Sequence, residues 1–423
     1  MSTAVLTAVS HHWETQLVTS LESSAGLTVV RRCADLADLL AAASAGLADV
    51  AIVSSDLRAL DRAALHHLAS HGVRAAGAVA PGDDAGERHL RQLGLEVVVR
   101  SDAPAHEIEE ALAGLETAEI AQSPPGADVD GAADAQDTPP QADGWQPVLE
   151  SRVIAVWGPT GAPGRSTLAL GLAAELASTG ARTLLVDCDT YGSSIAQSLS
   201  LLDEAPGMAA AARAADQGTL DLPALARLAP EVSDRLRVLT GIPRAERWPE
   251  LRAPAVEHVL TIARQLAEFV VVDCGFSIED DEELSYDTLA PRRNAATLTA
   301  LEQADELLVV GSGDPIGLQR LVRAVQDVGS VPSPTPRVVV NKVRASAVGG
   351  RPERRISEAL GRFAGMDDLV FLPWDQQSLD GAMFAGRSLA EFAPQSELRR
   401  AMAAVASRYA VAAGEVGSRR RRR

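Results

Sequence analysis

The feature that most constrains this chain is a repeated alternation of short Val/Leu/Ile runs with longer helix-forming stretches. In the second half these runs fall at Val153–Val156, Thr183–Val186, Leu236–Leu239, Phe269–Val272, Glu306–Val310, Val338–Val340 and Leu369–Leu372. An uninterrupted apolar run between helices reads as a strand covered on both faces, and strands joined through helices run parallel. The first part shows the same grammar, with runs at Ala4–Val9, Leu27–Val30, Val50–Val53, Arg74–Val79 and Leu95–Val99. Helical stretches such as Asp35–Ala43 and Pro104–Leu115 separate them. The predicted fold class is therefore α/β: an N-terminal doubly wound parallel sheet over residues 1–118, then a larger, mostly parallel α/β domain over 150–413. Between them, residues 119–149 are rich in Pro, Ala, Asp and Gln and poor in apolar side chains. Such a stretch buries too little surface to offset its ordering entropy, and reads as a flexible acidic linker. Residues 414–423 form a short basic tail.

Composition narrows the function. A formal net charge of −18 argues against a general nucleic-acid-coating surface. Three cysteines, Cys33, Cys188 and Cys274, are too few and too scattered for a disulfide framework or a zinc site. No run approaches the roughly 18–20 apolar residues that cross a bilayer, and the N-terminus lacks a basic region followed by an apolar core. The expectation is a cytoplasmic protein. Lys342 is the only lysine among 39 basic residues.

The chemistry begins at Val153–Leu170, VIAVWGPTGAPGRSTLAL. A strand, a Gly/Pro turn and a helix start are the layout of a phosphate-binding P-loop, where backbone N–H groups face an anion. The usual G-x-x-x-x-G-K-[ST] is met by Gly164 and Ser166, but Pro159 stands for the first Gly and Arg165 for the Lys. LLVDCDTYGSS follows, with Asp187 and Asp189 at the carboxyl end of a buried strand, where open α/β sheets place ligands. FVVVDCGFS ends a further strand in Asp273, in the manner of a Walker-B acid holding Mg²⁺. RVVVNKV places Asn341 and Lys342 at a strand end, and LVFLPWD places Pro373 and Asp375. Each motif alone has a structural explanation; their order is what discriminates. Cys188 and Cys274 adjoin the acids, and read as small buried strand-end residues.

Taken together, the segment 151–413 resembles the MinD/ParA family of P-loop ATPases. That resemblance implies ATP and Mg²⁺ as cofactors and a homodimer. It implies a nucleotide site formed by Thr160, Gly161, Ala162, Pro163, Gly164, Arg165, Ser166, Thr167, Asn341, Lys342 and Pro373. Ser166 and Asp273 would hold the metal, Asp189 would orient the attacking water as the catalytic residue, and Asn341 would read adenine. The family's signature lysine, which reaches the partner's phosphates, aligns with Thr160, and its P-loop lysine with Arg165. Thr160 carries no charge, Arg165 offers a planar fork in place of a point charge, and Pro163 has no N–H to donate. The resemblance thus implies weak or absent hydrolysis. Rescue would need Arg165 or another arginine; Arg351, Arg354 and Arg355 are candidates.

The N-terminal segment resembles the receiver domains of two-component signalling. The phosphoacceptor position at the end of the third strand falls on Ser54, the acidic pair on Ser10-His11, and the fifth-strand lysine near Arg100. Lacking those groups, it reads as a pseudo-receiver that docks a protein partner, with Asp56 as an alternative acceptor. With this domain in front, the chain most resembles the CpaE/TadZ branch, localisation factors for pilus assembly. The leading reading is a spatial-localisation or scaffold protein for pilus, secretion or septum machinery. The alternative is an active ATP-hydrolysing dimerisation switch of the chromosome or plasmid-partitioning type. The helix near Glu397–Val411, with Leu398, Met402, Val405 and Tyr409 at helical spacing, reads as core-covering rather than as a membrane anchor. Gly414 and Gly417 are expected to release the chain into Arg419, Arg420, Arg421, Arg422 and Arg423. That tail reads either as solvated or as a weak contact to anionic membrane or DNA, and the membrane contact would place the protein peripherally at the inner face of the membrane.

Overall fold

The computed structural model describes residues 2–24, 26–58, 60–117, 148, 150–201, 207–279 and 291–420, with the backbone alone from 410 onward. The linker expected over 119–149 lies outside the described residues apart from Val148, as do Arg421, Arg422 and Arg423. The chain divides into two compact units.

In the first, strands β1 (Thr3–Ala8), β2 (Leu27–Arg32), β3 (Val50–Ser54), β4 (Arg74–Val79) and β5 (Val98–Arg100) form one parallel sheet in the order β2-β1-β3-β4-β5. The helices α1 (Glu14–Glu22), α2 (Leu36–Ser44), α3 (Arg62–Ser70), α4 (Asp84–Leu93) and α5 (Ala105–Thr117) cover it. Alternation along the strands feeds two cores: Leu6, Ala51 and Val53 face one, Val5, Val50 and Ile52 the other. Helix starts follow local chemistry, as where Asp35 accepts the Asp38 N–H at 2.8 Å and fixes the first turn of α2. β5 begins later than the apolar run Leu95–Val99 suggests. Gly94 takes a left-handed cap, and the Leu95 N–H closes α4 on Leu90 O at 3.1 Å, so Leu95 belongs to the helix end. Ser54 closes β3, its hydroxyl donating to Asp56 Oδ1 at 2.5 Å; Ser10 and His11 follow β1, and Arg100 ends β5.

The second unit holds β6 (Arg152–Trp157), β7 (Thr183–Cys188), β8 (Glu231–Ser233), β9 (Leu236–Leu239), β10 (Phe269–Cys274), β11 (Glu306–Ser312), β12 (Pro336–Val343) and β13 (Leu369–Pro373). Their order is β13-β12-β11-β6-β10-β7-β9-β8, parallel except for the short β8, which pairs antiparallel with β9 at the edge. The helix α6 (Arg165–Ser178) lies across the middle, its Leu168, Leu172 and Leu176 packed with Ile154, Val156, Leu185 and Val271. The Glu397–Arg420 helix covers α6, with Leu398, Met402, Val405 and Tyr409 buried, as the spacing suggested. It differs at its end: the backbone stays helical through Gly414 and Gly417 to Arg420. No described helix is long and apolar enough to cross a membrane.

Candidate functional site

The residues that follow or end β6, β7, β12 and β13 converge on one cleft of about 350 Å³, and β10 ends behind it, where Cys274 O meets Arg165. The cleft is lined by Ala162, Gly164, Arg165, Ser166, Thr167, Asp189, Asn341, Lys342, Pro373 and Trp374, among others. Thr160 is exposed and is not part of that lining.

The loop between β6 and α6 is bent by three left-handed residues, Gly161, Ala162 and Gly164, with φ of 101°, 51° and 101°. At Gly164 a side chain is excluded twice, because that φ disfavours L-residues and a Cβ would lie 2.3 Å from Asn341 Nδ2. At Gly158 a Cβ would lie 2.2 Å from Val310 O, so only glycine lets β6 leave the sheet against β11.

Arg165 does not extend along the cleft. Its Nε donates to Cys274 O at 3.1 Å, and Nη1 donates to Gly158 O at 3.2 Å and Pro159 O at 3.0 Å. Nη2 lies 3.5 Å from Asp189 Oδ2. The guanidinium therefore fastens the P-loop to the end of β10 from beneath. From the opposite side, Asn341 Nδ2 donates to Pro163 O at 2.8 Å and Lys342 Nζ to Ala162 O at 2.7 Å. Arg354 pairs with Glu358, and Arg355 donates to Val348 O; neither lines the cleft, and nor does Arg351.

Three carboxylates crowd the strand ends. Asp189 Oδ1 accepts from the Tyr191 and Gly192 N–H groups at 2.8 and 3.1 Å. Asp187 accepts from the Asp189, Ser194 and Ile195 N–H groups. Burial nevertheless pushes the Asp187 carboxyl up to about 6. Asp273 is fully buried, and neither oxygen holds a well-formed hydrogen bond, the Ser166 hydroxyl being its near neighbour. Burial first, and the Asp187 charge second, raise its pKa well above the carboxylate range, against the opposing pull of Ser166 and Arg165. Cys188 and Cys274 are buried free thiols whose pKa is raised by the same burial, as structural cysteines are.

A pH dependence follows from Asp187. Its folded pKa lies above the unfolded one, so its contribution is full below about 3.9 and is lost as pH rises through about 6. Lowering the pH from 7 to 5 is expected to stabilise the fold by about 1 kcal/mol through this group. Thermal denaturation at both pH values should show Asp187→Asn lacking that increment; an identical response in both proteins would refute it.

Trp374, between Pro373 and Asp375, belongs to no motif in the sequence and yet lines the cleft. Its ring lies 5.5 Å from both Lys342 Nζ and Arg344 Cζ. Nor does the sequence single out Tyr191, whose hydroxyl donates to Asn294 Oδ1 at 2.8 Å, under the Arg293 guanidinium.

Residues 154–381 match the CobQ/CobB/MinD/ParA nucleotide binding domain. No curated protein matches the chain. Among solved structures it is similar to a ParA family ATPase from Chlorobium tepidum TLS at 20% identity, over 60% of this chain and 98% of that one, with a TM-score of 0.51. It is also similar to the septum site-determining protein MinD complexed with Mg-ADP from Pyrococcus horikoshii OT3, at 17% identity, over 62% and 98% of the two chains, with a TM-score of 0.49. The first of these likenesses is one of fold; the domain match, which spans more than half of the chain, shows that it belongs to the CobQ/CobB/MinD/ParA family.

Proposed function

We propose that this protein is a spatial-localisation or scaffold factor whose nucleotide site binds ATP but hydrolyses it weakly or not at all. The observation that carries this reading is the position of Arg165. Its guanidinium is engaged by three backbone carbonyls and Asp189, and is withdrawn from catalysis at a phosphoryl group. The neutral Thr160 gives the outer turn of the loop no charge of its own to offer a second subunit.

The residues fit a magnesium nucleotide nonetheless. A buried carboxylate without a well-formed hydrogen bond, Asp273, beside the Ser166 hydroxyl is a hard-oxygen donor set suited to Mg²⁺. Those two residues would hold the ion, which would neutralise phosphate charge when bound. Gly164 and the first turn of α6 offer N–H groups to an anion, and Asp189, braced by two N–H groups, is placed to orient a water.

In this reading the protein forms a homodimer, and the N-terminal unit docks a protein partner. Its third strand ends in a serine and no acidic pair follows the first, which supports docking in place of phosphoryl transfer. A CpaE/TadZ-like role in pilus assembly, and an added contact of the arginine tail with anionic membrane or DNA, complete the proposal. The convergence of Ser166, Asp189 and Asp273 favours one second reading, an active partitioning-type ATPase switch.

Calorimetry on the full chain with Mg²⁺ and ATP or ADP, alongside light scattering and phosphate release, separates the two. Scaffold function is expected to give ATP binding with turnover at the level of buffer, unchanged by Asp189→Ala. Turnover abolished by Asp189→Ala would install the switch instead.

A further inference from the structure

We propose that Lys342, delivered from the end of β12, is the cation that meets the phosphates in this protein, in place of a P-loop lysine. The inference rests on the nucleotide reading above and assigns the charge within it.

Successive side chains on a strand point to opposite faces, so Asn341 and Lys342 should diverge. They do not. The register between β12 and β13 shifts between Val340 and Val343, and Lys342 takes a left-handed conformation with φ of 59°. This bulge turns two consecutive side chains onto one loop, Asn341 to Pro163 O and Lys342 to Ala162 O. A left-handed backbone is uncommon and costly for a residue with a long side chain, and glycine would adopt it freely. Strain held at such a point suggests that the side chain is needed there.

The placement suits an anion. Lys342 lines the cleft together with Gly164, Ser166 and Thr167, the start of α6. Of its three N–H donors one is held by Ala162 O, which anchors the ammonium at the loop. The Trp374 ring stands 5.5 Å from Nζ and forms a wall beside it. Burial lowers the Lys342 pKa, with Asp314 opposing, and a bound phosphate would restore its preference for the charged form.

The rival cations are placed otherwise. Arg165 is occupied by carbonyls and Asp189. Arg344 donates to Lys342 O and stands 5.5 Å from the Trp374 ring, and it does not line the cleft. Arg320 packs at Gly161 on the exposed turn, its Nη1 within 2.0 Å of where a Cβ would project. In a chain whose other basic residues are all arginine, the single lysine sits where a compact point charge is required.

The same singularity supplies the test. In the full chain an amine-directed acylating reagent has one side-chain target, followed by mass spectrometry of the peptide that contains Lys342. ATP with Mg²⁺ and inorganic tripolyphosphate are expected to slow that labelling, and adenosine is not. Lys342→Gly, which relieves the φ strain, is expected to keep or raise the melting temperature while weakening ATP binding about 10- to 100-fold, the loss of one charged hydrogen bond. Arg320→Ala is expected to bind ATP as the parent does. If the parent binds ATP but Lys342 labels at the same rate, or Lys342→Gly binds equally well, the proposal fails while the nucleotide reading stands. Loss of ATP binding in Arg320→Ala alone would move the charge to that residue and also overturn it. No binding of ATP by the parent at millimolar concentration would remove both.

Discussion

Replacing Arg165 by alanine is expected to lower the unfolding free energy by about 2–4 kcal/mol, from the sum of several small charged hydrogen bonds. Three carbonyls lose their donor at once: Gly158 and Pro159 in the P-loop and Cys274 at the end of β10. Asp189 is nearly buried and keeps only the Tyr191 and Gly192 N–H groups against its charge. A carboxylate stripped of its counter-charge in such a place costs more than the ion pair contributed. Lysine is expected to recover only part of the loss, because one ammonium cannot span carbonyls of both the loop and β10. Urea denaturation followed by circular dichroism measures both variants. A loss below about 0.5 kcal/mol for Arg165→Ala, the range of ordinary surface substitutions, would mean that Arg165 is not the fastening described.

The second large effect lies on the far side of α6. Glu175 is buried on that helix and receives two hydrogen bonds from Arg399, Nε to Oε1 at 2.7 Å and Nη2 to Oε2 at 2.8 Å. Arg399→Ala is expected to cost about 2–4 kcal/mol, since it leaves a buried carboxylate alone while some water reaches the gap. Replacing both residues with methionine should restore most of it, because two matched apolar side chains leave no orphaned charge. Acidity supplies a further check. Burial already raises the Glu175 pKa, and Arg399 is what opposes the rise. Without Arg399 the folded pKa climbs further above the unfolded one, so stability is regained as the pH falls and lost as it rises. The Arg399→Ala deficit should therefore shrink between pH 7 and pH 5 in urea melts. A deficit that does not change with pH would show that Glu175 is not left charged and alone.

Much of the sheet could be read directly from the residues, because buried parallel strands are apolar along their whole length. β8 could not: Glu231–Ser233 is three residues with no apolar run, and it exists only through antiparallel pairing with β9. The end of the last helix departs from the expectation because two glycines lower helix propensity without forbidding a helix, and the backbone continues through both. At the site, strand ends and turn residues announced Gly164, Ser166, Asp189, Asp273, Asn341 and Lys342, and all six meet around one cleft or beneath it. The direction of Arg165 was not legible. A sequence gives a residue's type but not the carbonyls that β10 and the loop would present to it. Trp374 was lost between two better-known neighbours, and its meaning depends on the cations that the bulge in β12 brings near it.

The P-loop is fastened on two sides by the protein's own side chains, by Arg165 beneath and by Asn341 and Lys342 opposite. A flexible glycine loop must be ordered by its ligand, and that ordering subtracts from affinity. Here the loop's conformational freedom is surrendered during folding instead. Arrival of an anion then becomes a docking step onto a rigid cradle, with little rearrangement to slow it. How long the anion stays, and not how quickly it enters, is where this site has room to discriminate.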